Sequence, residues 1–229
     1  MAELANTALA SDANLLSYYR LEGNSNDSKG ALNGSDTNIT YNAANGKFNQ
    51  GAGFNGSSSK ISLGDNFDFS GDFSVVAWVK VTTTAEAGIV TKGKSLDYQW
   101  QINSTGGGKL ECDLFQSGGA AYLSAQESGN TLVTGSAWHH VAMVHDLSPA
   151  SLKLYLNGVL QADDTTVAGS WNTSGAANCL IGGRDDGGLF LNGSIDDVGI
   201  FNRILTAGEL LTLATDGTAA RRLLVGMGH

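Results

Sequence analysis

The chain has almost no proline, a single residue at 149, and only two cysteines, Cys112 and Cys179. Two cysteines are too few for a disulfide scaffold. Both lie in apolar runs, which favours two buried thiols. No apolar run approaches the roughly 18 residues that a membrane-spanning helix needs. Basic residues are scarce, 13 against 22 acidic, for a net charge of −9. Such a field repels a phosphate backbone, so nucleic acid is not an expected partner. Residues 1–13 have no basic start and no long apolar stretch, so a secretory signal is not expected there. Charged residues are few at 15 per cent, but 41 per cent of the 229 residues are hydrophobic, enough to build a core. Glycine, by contrast, is abundant at 31 residues, with no Gly-X-Y period that would indicate collagen.

Strand patterns dominate what is present. Phe73, Val75, Ala77, Val79 and Val81 alternate on one face, while Val76 and Trp78 stand on the other. Bulk on both faces predicts a central strand covered on both sides. Further runs are expected at 16–21, 98–103, 109–116, 137–146, 152–157, 178–182 and 194–203, separated by Gly, Asn and Ser clusters. Asn157-Gly158 between alternating runs predicts a type I′ hairpin. One helix is signalled, where Thr206 and Glu209 have capping-box spacing and Leu210, Leu211 and Leu213 follow, with Gly217 as the stop. One short helix among many strands predicts an all-β, two-sheet antiparallel sandwich. The expected layout is an N-terminal arm at 1–13, one domain at 14–217 and a tail at 218–229.

Five stretches in order carry a family resemblance: Leu15 to Asp27, Gly51 to Gly56, Gly71 to Val79, Ala137 to Asp146 with Leu154 to Gly158, and Phe190 to Arg203 running into Thr206–Glu209. Together they resemble the laminin G-like, concanavalin A-like lectin/glucanase jelly rolls of bacterial and phage type, a pentraxin-like architecture. The resemblance implies two antiparallel sheets, one concave, with variable loops over it. It does not fix function, because this fold hosts lectins, adhesion modules, glucanases and structural proteins.

Related β-glucanases carry carboxylates on one strand face, in patterns resembling Glu-x-Asp-x-Glu or Glu-x-Asp-x-x-Glu. The nearest match here is Glu111-Cys112-Asp113, with Phe115 and Gln116 where a further acid would stand. A glutamine cannot exchange the needed proton, so no catalysis is expected. His139, His140 and His145 share a strand. His139 and His145 are about 20 Å apart at strand rise, too far to share a metal, and core or hydrogen-bonding roles are expected.

Calcium needs about six to eight oxygens. Asp27, in an oxygen-rich turn after the first strand, and the adjacent Asp196 and Asp197 near the last are the expected ligands of a structural Ca²⁺. The resemblance adds that matching loops often hold one. For glycan binding, aromatic platforms and amides are needed. Tyr98 and Trp100, two apart on one strand, Trp171 in a loop, and Asn103 are the candidates, although a loop tryptophan more often caps a core edge than stacks on a ligand. Beyond the last family motif, Arg221, Arg222, Leu223 and Leu224 open a basic and then apolar tail. They are the expected assembly contacts, with Leu4 and Leu9 of the N-terminal arm in support. The favoured expectation is a non-catalytic structural, decoration or adhesion subunit of a surface assembly such as a phage virion, docking on other protein subunits or on copies of itself. The alternative is a stand-alone glycan-binding module of a bacterial surface or secreted protein.

Overall fold

A computed structural model describes residues 3–94, 97–129, 131–132, 137–167 and 169–215. The chain begins with β1 (Leu15–Tyr19), β2 (Ser35–Thr37), β3 (Thr40–Asn42), β4 (Gly51–Asn55) and β5 (Lys60–Ser62). Longer strands follow: β6 (Phe73–Val81), β7 (Ala87–Lys94), β8 (Asp97–Ser104), β9 (Leu110–Phe115) and β10 (Ala121–Gln126). Then come β11 (His139–Leu147), β12 (Ala150–Leu156), β13 (Val159–Asp164), β14 (Cys179–Ile181), β15 (Asn192–Phe201) and the helix α1 (Ala207–Ala214).

These strands form two antiparallel sheets packed as a sandwich, as the sequence pattern predicts. One sheet has the order β13-β12-β11-β6-β15-β4-β3, with β1 also paired to β15. The other runs β10-β9-β8-β7-β14-β5-β2. The main core lies between them, and Cys112 and Cys179 are free thiols within it. Burial raises both thiols, that of Cys179 to about 12.

Strand β6 sits at the centre of its sheet, between β11 and β15. Its odd-numbered residues from Phe73 to Val81 enter the main core, while Val76 belongs to a second cluster on the outer face. The double-faced burial read from the pattern is therefore present. At the β12–β13 turn Asn157 has φ 51° and Gly158 φ 77°, the two positive values that a type I′ turn requires. Thr206 accepts from the amide of Glu209, and the Glu209 carboxylate takes the Thr206 amide at 2.8 Å, completing the capping box. Gly217, the expected stop, lies outside the described residues.

The second cluster corrects the expectation for the N-terminal arm. Two 3-10 turns, Leu4–Asn6 and Ala8–Ser11, lay Leu4 and Leu9 on Tyr18, Val76, Val144 and Phe201, with Leu210 and Leu213 of α1 beside them. Both leucines are buried against their own sandwich and are not free to anchor a neighbour. Glu3 adds an ion pair to Arg20 at 2.7 Å. The arm folds over an apolar patch of the sheet that would otherwise face water.

Candidate functional site

The four glycan candidates do not form one surface. Trp100 is fully buried, packs on Phe69 and Phe73, and donates its indole N–H to the carbonyl of Phe67 at 3.1 Å. Tyr98 does not share its environment. The β7–β8 register shifts between Lys92–Trp100 and Gly93–Tyr98, which inserts Gln99 as a bulge and breaks the two-residue alternation. The Tyr98 ring instead rests 4.9 Å from the Phe115 ring and 5.1 Å below the Arg184 guanidinium. Asn103 is buried and donates to Glu111. Trp171 caps the core edge, its ring 4.6 Å from His145 and 5.9 Å from Phe73. Of the four, Tyr98 alone lies away from the core and half-exposed.

The carboxylates of β9 are built into the sheet. Asp113 accepts from Gln101 at 2.9 Å, and Glu111 accepts from Gln126 at 2.8 Å. Burial, with the Glu111 charge second, raises Asp113 to about 6. Gln116 bridges to Trp171 through the backbone and donates its amide to the carbonyl of Ala121.

The calcium set is dispersed. β1 and β15 do pair, as expected, but the three carboxylates face different partners. Asp27 takes the backbone amides of Tyr18 (2.9 Å), Lys29 (3.0 Å) and Leu32 (3.3 Å), and its acidity is enhanced by such amide bonds despite burial. A bulge between Asp196 and Gly199 puts Asp197 at φ 55° and turns it away from Asp196. Asp197 receives the Leu4 amide at 2.9 Å and the Tyr18 hydroxyl. Asp196 takes the amides of Lys47 and Phe48 on one oxygen, while the other is buried with no partner. Burial raises Asp196 to about 8 and Asp197 to about 7. Asp27 and Asp197 are occupied by N–H and O–H donors and Asp196 leaves a single oxygen, far short of the six to eight a Ca²⁺ takes. No group of three or more His, Cys, Asp or Glu suited to a metal exists among the described residues. The residues present thus do not fit the expected calcium.

The histidines take core roles. His145 is fully buried against Phe73 and Trp171, and His140 stands across from Trp78. Burial lowers His140 to about 3. The expected assembly contacts Arg221, Arg222, Leu223 and Leu224 lie outside the described residues.

A different surface carries the cavity. On the outer face of the β6-containing sheet, where β3, β4, β15 and the end of β6 meet, lies an open pocket of about 420 Å³. Neutral polar groups line most of it, among them Asn38, Thr40, Asn45, Thr82 and Asn192. Most are held in place by one another. Asn45 donates to Thr40 and accepts from Ser194, and Thr82 donates to the Asn192 side chain at 2.7 Å. Gly53 and Gly193 form part of the floor. A Cβ on Gly53 would stand 2.2 Å from Asn45 Nδ2, and one on Gly193 would stand 2.2 Å from the Lys80 carbonyl oxygen. At Gly193 the neighbour is backbone and leaves no room for a side chain, while at Gly53 the Asn45 side chain would have to shift. Lys80 enters from β6, donates to the carbonyl of Ala44 at 2.9 Å, and has its ammonium 5.0 Å from the centre of the Trp138 ring.

Sequence reasoning missed this site. Its asparagines lie in separate turns with no spacing motif, and they meet only because β4 and β15 pair with Ser194 opposite Gly53. The available signal was a recurrent Asn/Thr/Ser content at strand ends, which turn chemistry explains equally well.

Residues 55–211 match the family Laminin_G_3, the concanavalin A-like lectin/glucanases superfamily, and the chain belongs to it. No curated protein matches the sequence. Among solved structures it is similar to domain 4 of AbnA, a GH43 extracellular arabinanase from Geobacillus stearothermophilus, in complex with arabinotriose. That likeness has a TM-score of 0.61 and 24% identity, covering 88% of this chain and 98% of that one. It is also similar to the binding domain of Paraclostridial Mosquitocidal Protein 1, with TM-score 0.68, 18% identity and coverage of 89% and 52%. A third is the ligand-binding domain of botulinum neurotoxin serotype D in complex with N-acetylneuraminic acid, with TM-score 0.64, 17% identity and coverage of 88% and 50%. The chain spans about half the length of these toxin domains. At such identities the likeness establishes the fold. No helix among the described residues is long and apolar enough to cross a membrane.

Proposed function

We propose that this domain is a non-catalytic carbohydrate-binding module whose ligand occupies the pocket formed by β3, β4, β6 and β15. The observation that carries this reading is the pocket itself. Its volume of about 420 Å³ falls in the roughly 300–1,000 Å³ range of small-ligand sites. Sugars present hydroxyls that both donate and accept, and asparagine amides and threonine hydroxyls match both roles. Asn192 Nδ2 and Asn38 Oδ1 have no protein partner among the described residues, so each is available to a ligand hydroxyl. The side chains around them are already fixed by hydrogen bonds, which lowers the ordering cost of binding. The AbnA domain bound to arabinotriose and the toxin domain bound to N-acetylneuraminic acid support a carbohydrate reading, though neither fixes a subsite here.

On the other sheet, Glu111 and Asp113 are both committed to amide partners, with Phe115 and Gln116 following, so a hydrolytic pair is not assembled around them. The assembly reading rests on the tail beyond residue 215, and no described contact adds to it.

The test is a glycan array followed by calorimetric titration of the best hit. Wild-type protein and Tyr98→Ala should bind alike, whereas Asn192→Ala with Thr82→Val should lose most of the affinity. Binding that survives the double variant and disappears with Tyr98→Ala would move the site to the opposite sheet.

A further inference from the structure

Among the described residues, Lys80 is the one charged residue lining the pocket. Arg20, Lys92, Arg184 and Arg203 are each matched to carboxylates, whereas several half-buried lysines, Lys80 among them, are not; of these, Lys80 is the one that lines the pocket. Lys80 has no carboxylate within ion-pair distance among the described residues. Its protein partners are one neutral carbonyl, that of Ala44, and the face of Trp138. An ammonium has three N–H donors, so donor capacity remains beyond that carbonyl. Trp138 fixes the ammonium by cation–π attraction without neutralising it. In a chain of net charge −9, a cation left unpaired inside a cavity of neutral amides is an isolated positive point.

We infer that the ligand of this pocket carries an acidic sugar residue, uronic or sialic in type, with its carboxylate on Lys80 and its remaining hydroxyls on the asparagine and threonine side chains. This rests on the carbohydrate reading above and narrows it. A neutral sugar would leave the ammonium with one protein carbonyl and solvent as its partners. A carboxylate there forms a charge-assisted hydrogen bond, roughly twice as strong as a neutral one.

The experiment compares matched pairs that differ only in the acid: methyl glucuronide with methyl glucoside, methyl galacturonide with methyl galactoside, and the methyl glycoside of N-acetylneuraminic acid with its methyl ester. Each is titrated into wild type, Lys80→Met and Lys80→Arg, at low and high salt, and melting temperatures confirm folding of each variant. The acidic member of at least one pair should bind about tenfold tighter. That preference should shrink with salt, vanish in Lys80→Met and persist in Lys80→Arg. Equal or tighter binding of the neutral members, or an acid preference that survives Lys80→Met, would overturn the inference and leave the carbohydrate reading standing. Absence of binding by every member, with no hit on the array, would overturn both.

Discussion

The backbone amide of Leu4 donates to the carboxylate of Asp197 at 2.9 Å, across 193 residues of sequence. This bond, with the Tyr18 hydroxyl on the other oxygen, ties the start of the described chain to the bulge of its last strand. The arm is thereby part of the fold. Leu4→Ala should cost about 2–4 kcal/mol, because it opens a cavity beneath an arm already fixed in place. Urea denaturation measures it. A loss below about 0.5 kcal/mol would mean that the arm detaches freely.

Stability should be highest near pH 4 and decline on both sides, more gently up to about pH 6.5 than just above it. Asp196 and Asp197 are raised to about 8 and about 7, so the folded state holds protons that the unfolded state releases above about 4. Their contribution is full below that point and is lost as pH rises through the folded values. His140, lowered to about 3, acts oppositely: its contribution is present above about 6.5 and lost as pH falls towards 3. Between about pH 4 and 6.5 the histidine offsets only one of the two aspartates, so a net decline remains. Asp196→Asn can still accept the amides of Lys47 and Phe48 through its carbonyl. It should therefore gain on the order of 1–2 kcal/mol at pH 8 and flatten the alkaline limb. Thermal melts from pH 3 to 9 decide this, and an unchanged alkaline limb would exclude Asp196 as its source.

Lys92 is fully buried and makes ion pairs with Asp65 at 2.5 Å and Asp68 at 3.3 Å, besides donating to the carbonyl of Ala177. Replacing both aspartates by asparagine leaves a buried charge without a counter-charge. A cost of about 1–3 kcal/mol is expected, below the usual range for a broken buried pair because both aspartates reach solvent. Lys92→Met removes the charge along with the pair and should cost less. The reverse order in chemical denaturation would show that the ammonium matters through its bond to Ala177 and not through its charge.

Chelation should leave the protein unchanged. A structural calcium at 100 times its Kd would add about 2.7 kcal/mol, on the order of 5–10 °C in melting temperature. Asp27 and Asp197 spend their oxygens on backbone amides and a tyrosine hydroxyl, so no such shift with EDTA is expected. A drop of several degrees, reversed by added Ca²⁺, would place a metal here after all.

What the sequence determined by itself was local. The two-residue alternation of 73–81 defined a strand with its observed ends and its two buried faces, because side-chain period and burial are properties of the strand alone. Asn157-Gly158 and the Thr206–Glu209 pair named their turn and cap, since each depends on neighbouring backbone only. The tertiary structure decided the rest. A single inserted residue at Gln99 separated Tyr98 from Trp100, and a bulge at Asp197 turned two adjacent carboxylates apart. Neither bulge has a marker in composition, because it arises from how two strands register. The pocket was illegible for the same reason. Asn38, Asn45, Thr82 and Asn192 converge only through pairings between distant strands, and a list of polar turn residues does not reveal which of them face one another.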